Sequence, residues 1–111
     1  MLEIQPIMNT AAEEILAFKT CCGMRAWDQN LELLVRNTGS RPMVVRGHFD
    51  LDGVDGRERV RTVIPPGDRK VEPGEIVAFY CTMDEERWKK ARRVVFFDDR
   101  GNEYAASVPP Q

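Results

Sequence analysis

The amino-acid sequence predicts an all-β fold, an antiparallel β-sandwich of about seven strands with one short helix, in a single domain spanning residues 1–111. Apolar and polar residues alternate at period two in several segments, as they do in strands with one buried face. Turn-forming Gly, Pro, Asn and Asp separate these segments by about 8–12 residues, which is typical of sandwiches. A chain of 111 residues is also long enough to bury about two thirds of its unfolded surface, so it does not require disulfides or metal ions to fold.

The amino-terminal segments begin with an edge strand and continue into an ambiguous region. Leu2 to Met8 alternates, and Pro6 restricts it to an edge because proline cannot donate a ladder hydrogen bond. Residues 9–23 suit a helix, since Thr10 and Glu13 have capping-box spacing. The second half of the same region also suits a buried strand. We favour the strand there, because the neighbouring strands of a sandwich need a partner.

The clearest pattern spans residues 25–36, where Leu31, Leu33 and Val35 share one face. A second strand is predicted from residue 42 to 51, and the turn-forming residues between the two strands predict a hairpin. Residues 52–56 contain Asp-Gly and form the next tight turn, which leads into an alternating strand over residues 57–64.

The second half of the chain starts with a Pro- and Gly-rich loop over residues 65–75, for which no regular structure is predicted. Acids precede bases between Asp84 and Lys90, which matches the dipole of a short helix, and Thr82 with Glu85 has capping-box spacing; this helix is expected to lay Trp88 over the end of the sheet. The remaining predicted strands cover residues 75–83, 91–98 and 103–108.

Three turn-containing segments resemble prokaryotic immunoglobulin-like modules of the FxLYD type and the bacterial cell-adhesion-related domain. They are Leu34 to Ser40 with its Asn-Thr-Gly turn, Phe49 to Gly53, and Val71 to Glu75 with its Pro-Gly-Glu turn. Asp52 replaces the aromatic residue that follows the Phe-x-Leu element in those modules. The resemblance implies an immunoglobulin-like sandwich from a bacterium, with a noncatalytic role in binding or spacing, usually at the cell envelope.

Composition and the amino terminus narrow the function classes. A formal net charge of -2 gives no overall attraction to nucleic acid, so no nucleic-acid partner is expected. The first residues lack the basic and apolar regions of a secretory signal, and nothing suggests membrane insertion. The expected location is therefore cytoplasmic, or the cell envelope if a signal has been removed.

The cysteines allow a metal or redox site as an alternative function. Cys21 and Cys22 are adjacent, so in a strand they point to opposite faces and only one can join Cys81. Cys22, Cys81 and His48 are the ligand set for such a site. A disulfide from Cys21 or Cys22 to Cys81 would resemble the inter-sheet bridge of immunoglobulins. The favoured interpretation is buried free thiols and no cofactor.

Two further groups of residues resemble a calcium site and a catalytic site but do not meet the requirements of either. Asp50, Asp52 and Asp55 resemble a calcium loop, but Val54 and Arg61 occupy positions where an EF-hand needs ligands, so a hairpin turn is predicted. A nucleophile relay can be drawn from Cys81 through His48 to Asp50, but nothing in the sequence aligns these groups. The protein is therefore not expected to be an enzyme.

Arg57, Arg59 and Arg61 form a stripe on one face of a predicted strand. Guanidinium groups suit carboxylate partners, although charges on an edge strand also serve to prevent aggregation. The sequence predicts that these three arginines bind a partner. The leading function is a noncatalytic interaction module that binds a protein partner, or itself, through an edge strand.

Overall fold

The computed structural model describes residues 2–8 and 30–108. In these residues the predicted all-β fold with one short helix is confirmed. The prediction for residues 9–23 lies outside the described residues. The elements are β1 (Leu2–Met8), β2 (Leu31–Asn37), β3 (Met43–Gly53), β4 (Gly56–Val60), β5 (Arg69–Val71), β6 (Ile76–Cys81), α1 (Glu85–Lys90), β7 (Ala91–Asp98) and β8 (Glu103–Ser107).

The strands form two antiparallel sheets. The smaller sheet has the order β1-β2-β6, and the larger has the order β4-β3-β7-β8, with β5 also paired to β3. Leu31, Leu33 and Val35 point into the space between the sheets, as predicted, and are fully buried. Phe96 stacks on Phe49 of its own sheet with ring centroids 5.5 Å apart. It also contacts Phe79 of the other sheet at 5.6 Å, so the two layers share one core.

The predicted hairpin between β2 and β3 is wrong, because these consecutive strands belong to different sheets. Asn37 ends β2 and is fully buried. Its Nδ2 donates to the carbonyls of Arg41 at 2.7 Å and Val71 at 2.9 Å, and its Oδ1 accepts from Gly39 N at 2.9 Å. These bonds hold the chain in a crossover from one sheet to the other.

Two predicted boundaries between strand and loop are also wrong. The loop over residues 65–75 contains β5, in which Val71 lies opposite Met43 and is fully buried. The strand expected over residues 57–64 ends at Val60, and Ile64 instead forms an isolated bridge to Tyr80 of the smaller sheet. The chain changes sheets between these points, so a single strand cannot cover the whole alternating segment.

The helix begins and packs largely as its charges indicate. Asp84 is the N-cap, and its carboxylate accepts from Glu86 N at 3.1 Å, so the cap is not Thr82 as the capping-box spacing suggested. Trp88 is buried in the common core. The helix thereby fixes the start of β7, which follows it directly.

β4 and β5 pair with the same side of β3, because β7 pairs with its other side. The pairing of β3 with β7 shifts register between Val45 and Phe49. Gly47 lies in this bulge, and a Cβ there would be 2.6 Å from the carbonyl oxygen of Gly67. The carboxylate of Asp68 accepts from Gly47 N at 3.0 Å, which anchors the loop after β4 against the bulge.

Candidate functional site

The three arginines predicted to bind a partner do not have the same surroundings. Arg57 and Arg59 lie on β4, opposite Asp52 and Asp50 of β3. Arg59 Nε donates to Asp50 Oδ1 at 3.0 Å. Arg57 donates to Glu103 Oε1 on β8 at 3.2 Å and lies 3.8 Å from Asp50. Both guanidinium groups are therefore paired within the molecule.

Asp50 is buried although it lies on the outer face of the larger sheet. Only 5% of the residue is exposed, because Arg57 and Arg59 approach it from β4. A buried carboxylate without its partners would be strongly destabilising. The two arginines therefore stabilise the fold in addition to any contact with a partner.

The row of ion pairs formed by Arg57 and Arg59 continues across the sheet to β7. Arg93 Nε donates to Asp52 Oδ2 at 3.2 Å. That hydrogen bond lowers the pKa of Asp52, and the charges of Arg93 and Arg57 lower it further. Val95 lies opposite Asp50 on the same face and is buried. We call the four residues Arg57, Arg59, Arg61 and Arg93 the arginine face.

His48 and Phe97 lie beside the arginine face. Their rings are 5.4 Å apart, and the Arg59 guanidinium lies 5.2 Å above the Phe97 ring. Partial burial lowers the pKa of His48, and the positive charges of Arg59 and Arg61 add to this effect. The imidazole is therefore mostly neutral at pH 7.

Arg61 is the exposed end of the arginine face. Within residues 2–8 and 30–108, no carboxylate lies within ion-pair distance of it. Its positive charge contributes to lowering the pKa of His48. Among the described residues, Arg61 is thus the member of the arginine face without an ion pair inside the molecule.

The groups considered for a metal site are not brought together. Cys81 is 1% exposed and lies opposite Leu31 on the inner face of the smaller sheet, whereas His48 lies on the outer face of the larger sheet. Burial raises the pKa of the Cys81 thiol to about 12, so the thiol stays protonated. Cys21 and Cys22 lie outside the described residues. In the part of the chain that is described, no three His, Cys, Asp or Glu residues form a group that could hold a metal ion.

The Asp-rich segment after β3 is a turn, as predicted. Val54 and Asp55 form the two-residue turn between β3 and β4, and Gly53 lies opposite Gly56. Asp55 lies 3.5 Å from Lys90 Nζ. Asp50 points instead to the arginine face, so the three aspartates do not share one site.

Asp98 lines a shallow cleft of about 280 Å³ beside the turn between β7 and β8. Its carboxylate accepts bonds from Arg100 N, Asn102 N, Asn102 Nδ2 and Tyr104 Oη, all between 2.9 and 3.0 Å. Burial raises the pKa of Asp98, but these hydrogen bonds outweigh burial and lower it overall. The carboxylate is fully used in holding the turn.

The sheet edges differ in how far they are covered. β1 and β8, at the edges of the two sheets, lie beside each other. The outer side of β6 is bridged by Ile64, and Arg69 Nη1 reaches the Ala78 carbonyl at 3.4 Å. β4 ends the larger sheet, and no described residue forms a ladder along its outer side. Among the described strands, β4 is therefore an unpaired edge of five residues that another chain can join.

Hairpin geometry shows which groups β4 presents. The pair that closes a two-residue hairpin exchanges backbone hydrogen bonds, and bonded pairs alternate from there. Glu58 and Val60 therefore direct their backbone groups to β3. Arg57 and Arg59 direct theirs to the open edge, while their side chains lie on the outer face.

No helix in the described ranges combines the length and apolar character needed to cross a bilayer. Comparisons with protein-family models, with curated proteins and with solved structures give no match for this chain.

Proposed function

We propose that this protein is a noncatalytic interaction module that binds a segment of a protein partner along the outer edge of β4. The open edge of β4, beside the available charge of Arg61, is the observation that carries this proposal. An extended segment added to a sheet edge gains affinity from backbone hydrogen bonds and specificity from side chains. Arg57 and Arg59 provide the backbone groups, and the arginine face provides the charge.

The arginine face retains binding capacity despite its internal pairs. A guanidinium has five N–H donors, and Arg59 uses its Nε for Asp50. Its side chain is 43% exposed, so it can contact a second carboxylate while Asp50 stays covered. Arg61 needs no rearrangement, because it is exposed and no described carboxylate pairs with it.

Site-specific crosslinking tests the proposal directly. A benzoylphenylalanine photo-crosslinker replaces Arg61, and in a matched control it replaces Arg36, an exposed arginine on β2 of the other sheet. After irradiation of the cells that naturally contain the protein, we expect a discrete covalent adduct at position 61 that is absent at position 36. The same adducts at both positions, or none at position 61, would remove the β4 edge as the binding surface.

A further inference from the structure

We infer that the chain bound at β4 is an extended segment of a different protein that carries carboxylates at every second residue, and is not a second copy of this chain. This inference rests on the proposed function, because it names the partner of the same edge. It is argued from the order of charges along β4 and from the pairing rules of antiparallel strands.

Symmetry disfavours a second copy on charge grounds. Two copies of β4 that pair edge to edge are related by a two-fold axis, so odd-numbered residues always lie opposite odd-numbered residues. Arg57, Arg59 and Arg61 all have odd numbers. In registers centred on Arg57, Glu58 or Arg59, at least one arginine therefore lies directly opposite another arginine. Like charges in that position are destabilising.

The same stripe favours a partner with acids at period two. Side chains directly opposite across an antiparallel pair lie about 4.5–5.5 Å apart at Cβ, so carboxylates at positions i and i+2 would meet Arg57 and Arg59 in turn. A third carboxylate at i+4 would lie near Arg61, just beyond the end of β4. The opposite face of β4 requires no further charge, because Glu58 already pairs with Arg87 of α1 at 2.9 Å. The residues between the acids are therefore expected to be uncharged.

Defined peptides test the spacing. The probe is a fluorescein-labelled octapeptide of four Thr-Glu repeats, and the matched control has the same composition arranged as four Thr followed by four Glu. Fluorescence anisotropy should show about fivefold tighter binding of the alternating peptide, since two cross-strand pairs and the nearby charge of Arg61 act together. The R61Q variant should lose about threefold of that affinity, whereas R36Q should behave as the wild type.

His48 provides an independent readout, because it is the only histidine in the chain and its ring lies beside the Phe97 ring, over which Arg59 also lies. The alternating peptide should shift the Cε1–H resonance of His48, and the block peptide should leave it in place. This signal locates the peptide on the arginine face, which anisotropy alone does not.

Each contrary result overturns a different statement. Equal binding of the two acidic peptides, or no binding of either, would overturn the inferred spacing. A dimer that sedimentation detects and R61Q dissociates would replace the foreign chain with a second copy. In both cases an adduct at position 61 would still support the proposed interaction module, whereas absence of that adduct would contradict the proposed function itself.

Discussion

Asp50 shows how a charge pattern that suggests binding can also stabilise a fold. Its carboxylate is buried between Arg57 and Arg59. Reversing the charge of Arg57, Arg59 and Arg61 together would therefore leave Asp50 without a cation and next to new carboxylates. Such a variant would lose stability as well as binding, so Arg61 is the position at which the two effects can be separated.

We predict that R59Q lowers the free energy of unfolding by about 1–3 kcal/mol, because a buried carboxylate loses its closest charged donor. Urea denaturation measures this change, and R61Q is the matched control because Arg61 lies on the same face without contacting Asp50. The additional change D50N should restore part of the loss, since an amide does not need the missing charge. Equal stability of R59Q and R61Q would show that Asp50 does not depend on Arg59.

The pKa of His48 predicts a pH dependence of stability. Burial is the main cause that lowers it, Arg59 and Arg61 lower it further, and Asp50 and Asp68 act in the opposite direction. Because the unfolded chain keeps the ordinary value of 6.5, it takes up the proton first as pH falls. The free energy of unfolding should therefore decrease from about pH 7 through 6.5 and level off below the folded-state pKa.

An NMR titration of the single imidazole checks this expectation. The midpoint should lie below 6.5 in the folded protein, and R61Q should raise it without disturbing Asp50. The H48Q variant should lose the decrease in stability over the same pH interval. A wild-type midpoint at or above 6.5 would contradict the assigned surroundings of His48.

At the scale of elements, the bulge in β3 is where the loop after β4 packs against the larger sheet. Gly47 allows the loop that contains Gly67 and Asp68 to pack against the strand. We predict that G47A destabilises the fold by about 1–3 kcal/mol, because its Cβ would meet backbone atoms rather than a flexible side chain. Thermal unfolding measures the effect, with S107A on the exposed part of β8 as control. An unchanged midpoint for G47A would mean that the loop can move away at little cost.

Local patterns predicted most strands but not how they pair. Period-two alternation located β1, β2, β3 and β4, although the predicted strand at β4 was too long. Apolar and β-branched runs located β6 and β7, a turn signal located the start of β8, and the order of charges located α1. β5 was missed because three residues between Pro- and Gly-rich turns show no period. The crossover after β2 was missed because Asn37 bonds to Val71, 34 residues away.

The candidate site shows the same division. The spacing of Arg57 and Arg59 correctly predicted that they share one face of β4, whereas Arg61 lies beyond the end of that strand. Their pairing with Asp50, Asp52 and Glu103 depends on strand register and on the neighbouring β7 and β8. The sequence did contain a signal for some of these ion pairs, because acidic and basic residues occupy alternate positions on either side of a two-residue turn. The register of β3 with β4 places these acids and bases opposite each other as ion pairs. The contact of Arg57 with Glu103 depends in addition on the position of β8 in the sheet.

At the scale of the whole molecule, the shared core makes Cys81 a reporter of global unfolding. Cys81 faces Leu31 in a core where aromatic rings of both sheets meet. Burial both shields the thiol and raises its pKa to about 12, so an alkylating reagent should reach it only after the sheets separate. In a C21S/C22S background the remaining thiol reports on this position alone.

We predict that alkylation of Cys81 in that background follows the equilibrium population of the unfolded chain, as it must when opening and closing are fast relative to the chemical step. R59Q should then accelerate the reaction by about tenfold for every 1.4 kcal/mol that it removes from the free energy of unfolding. R61Q should leave the rate unchanged. Mass spectrometry of the alkylated protein gives both rates. A rate that is fast in the native protein would instead show that Cys81 is accessible. In the chain with all three cysteines, alkylation of Cys81 that zinc slows and a chelator restores would favour the thiol-dependent metal function.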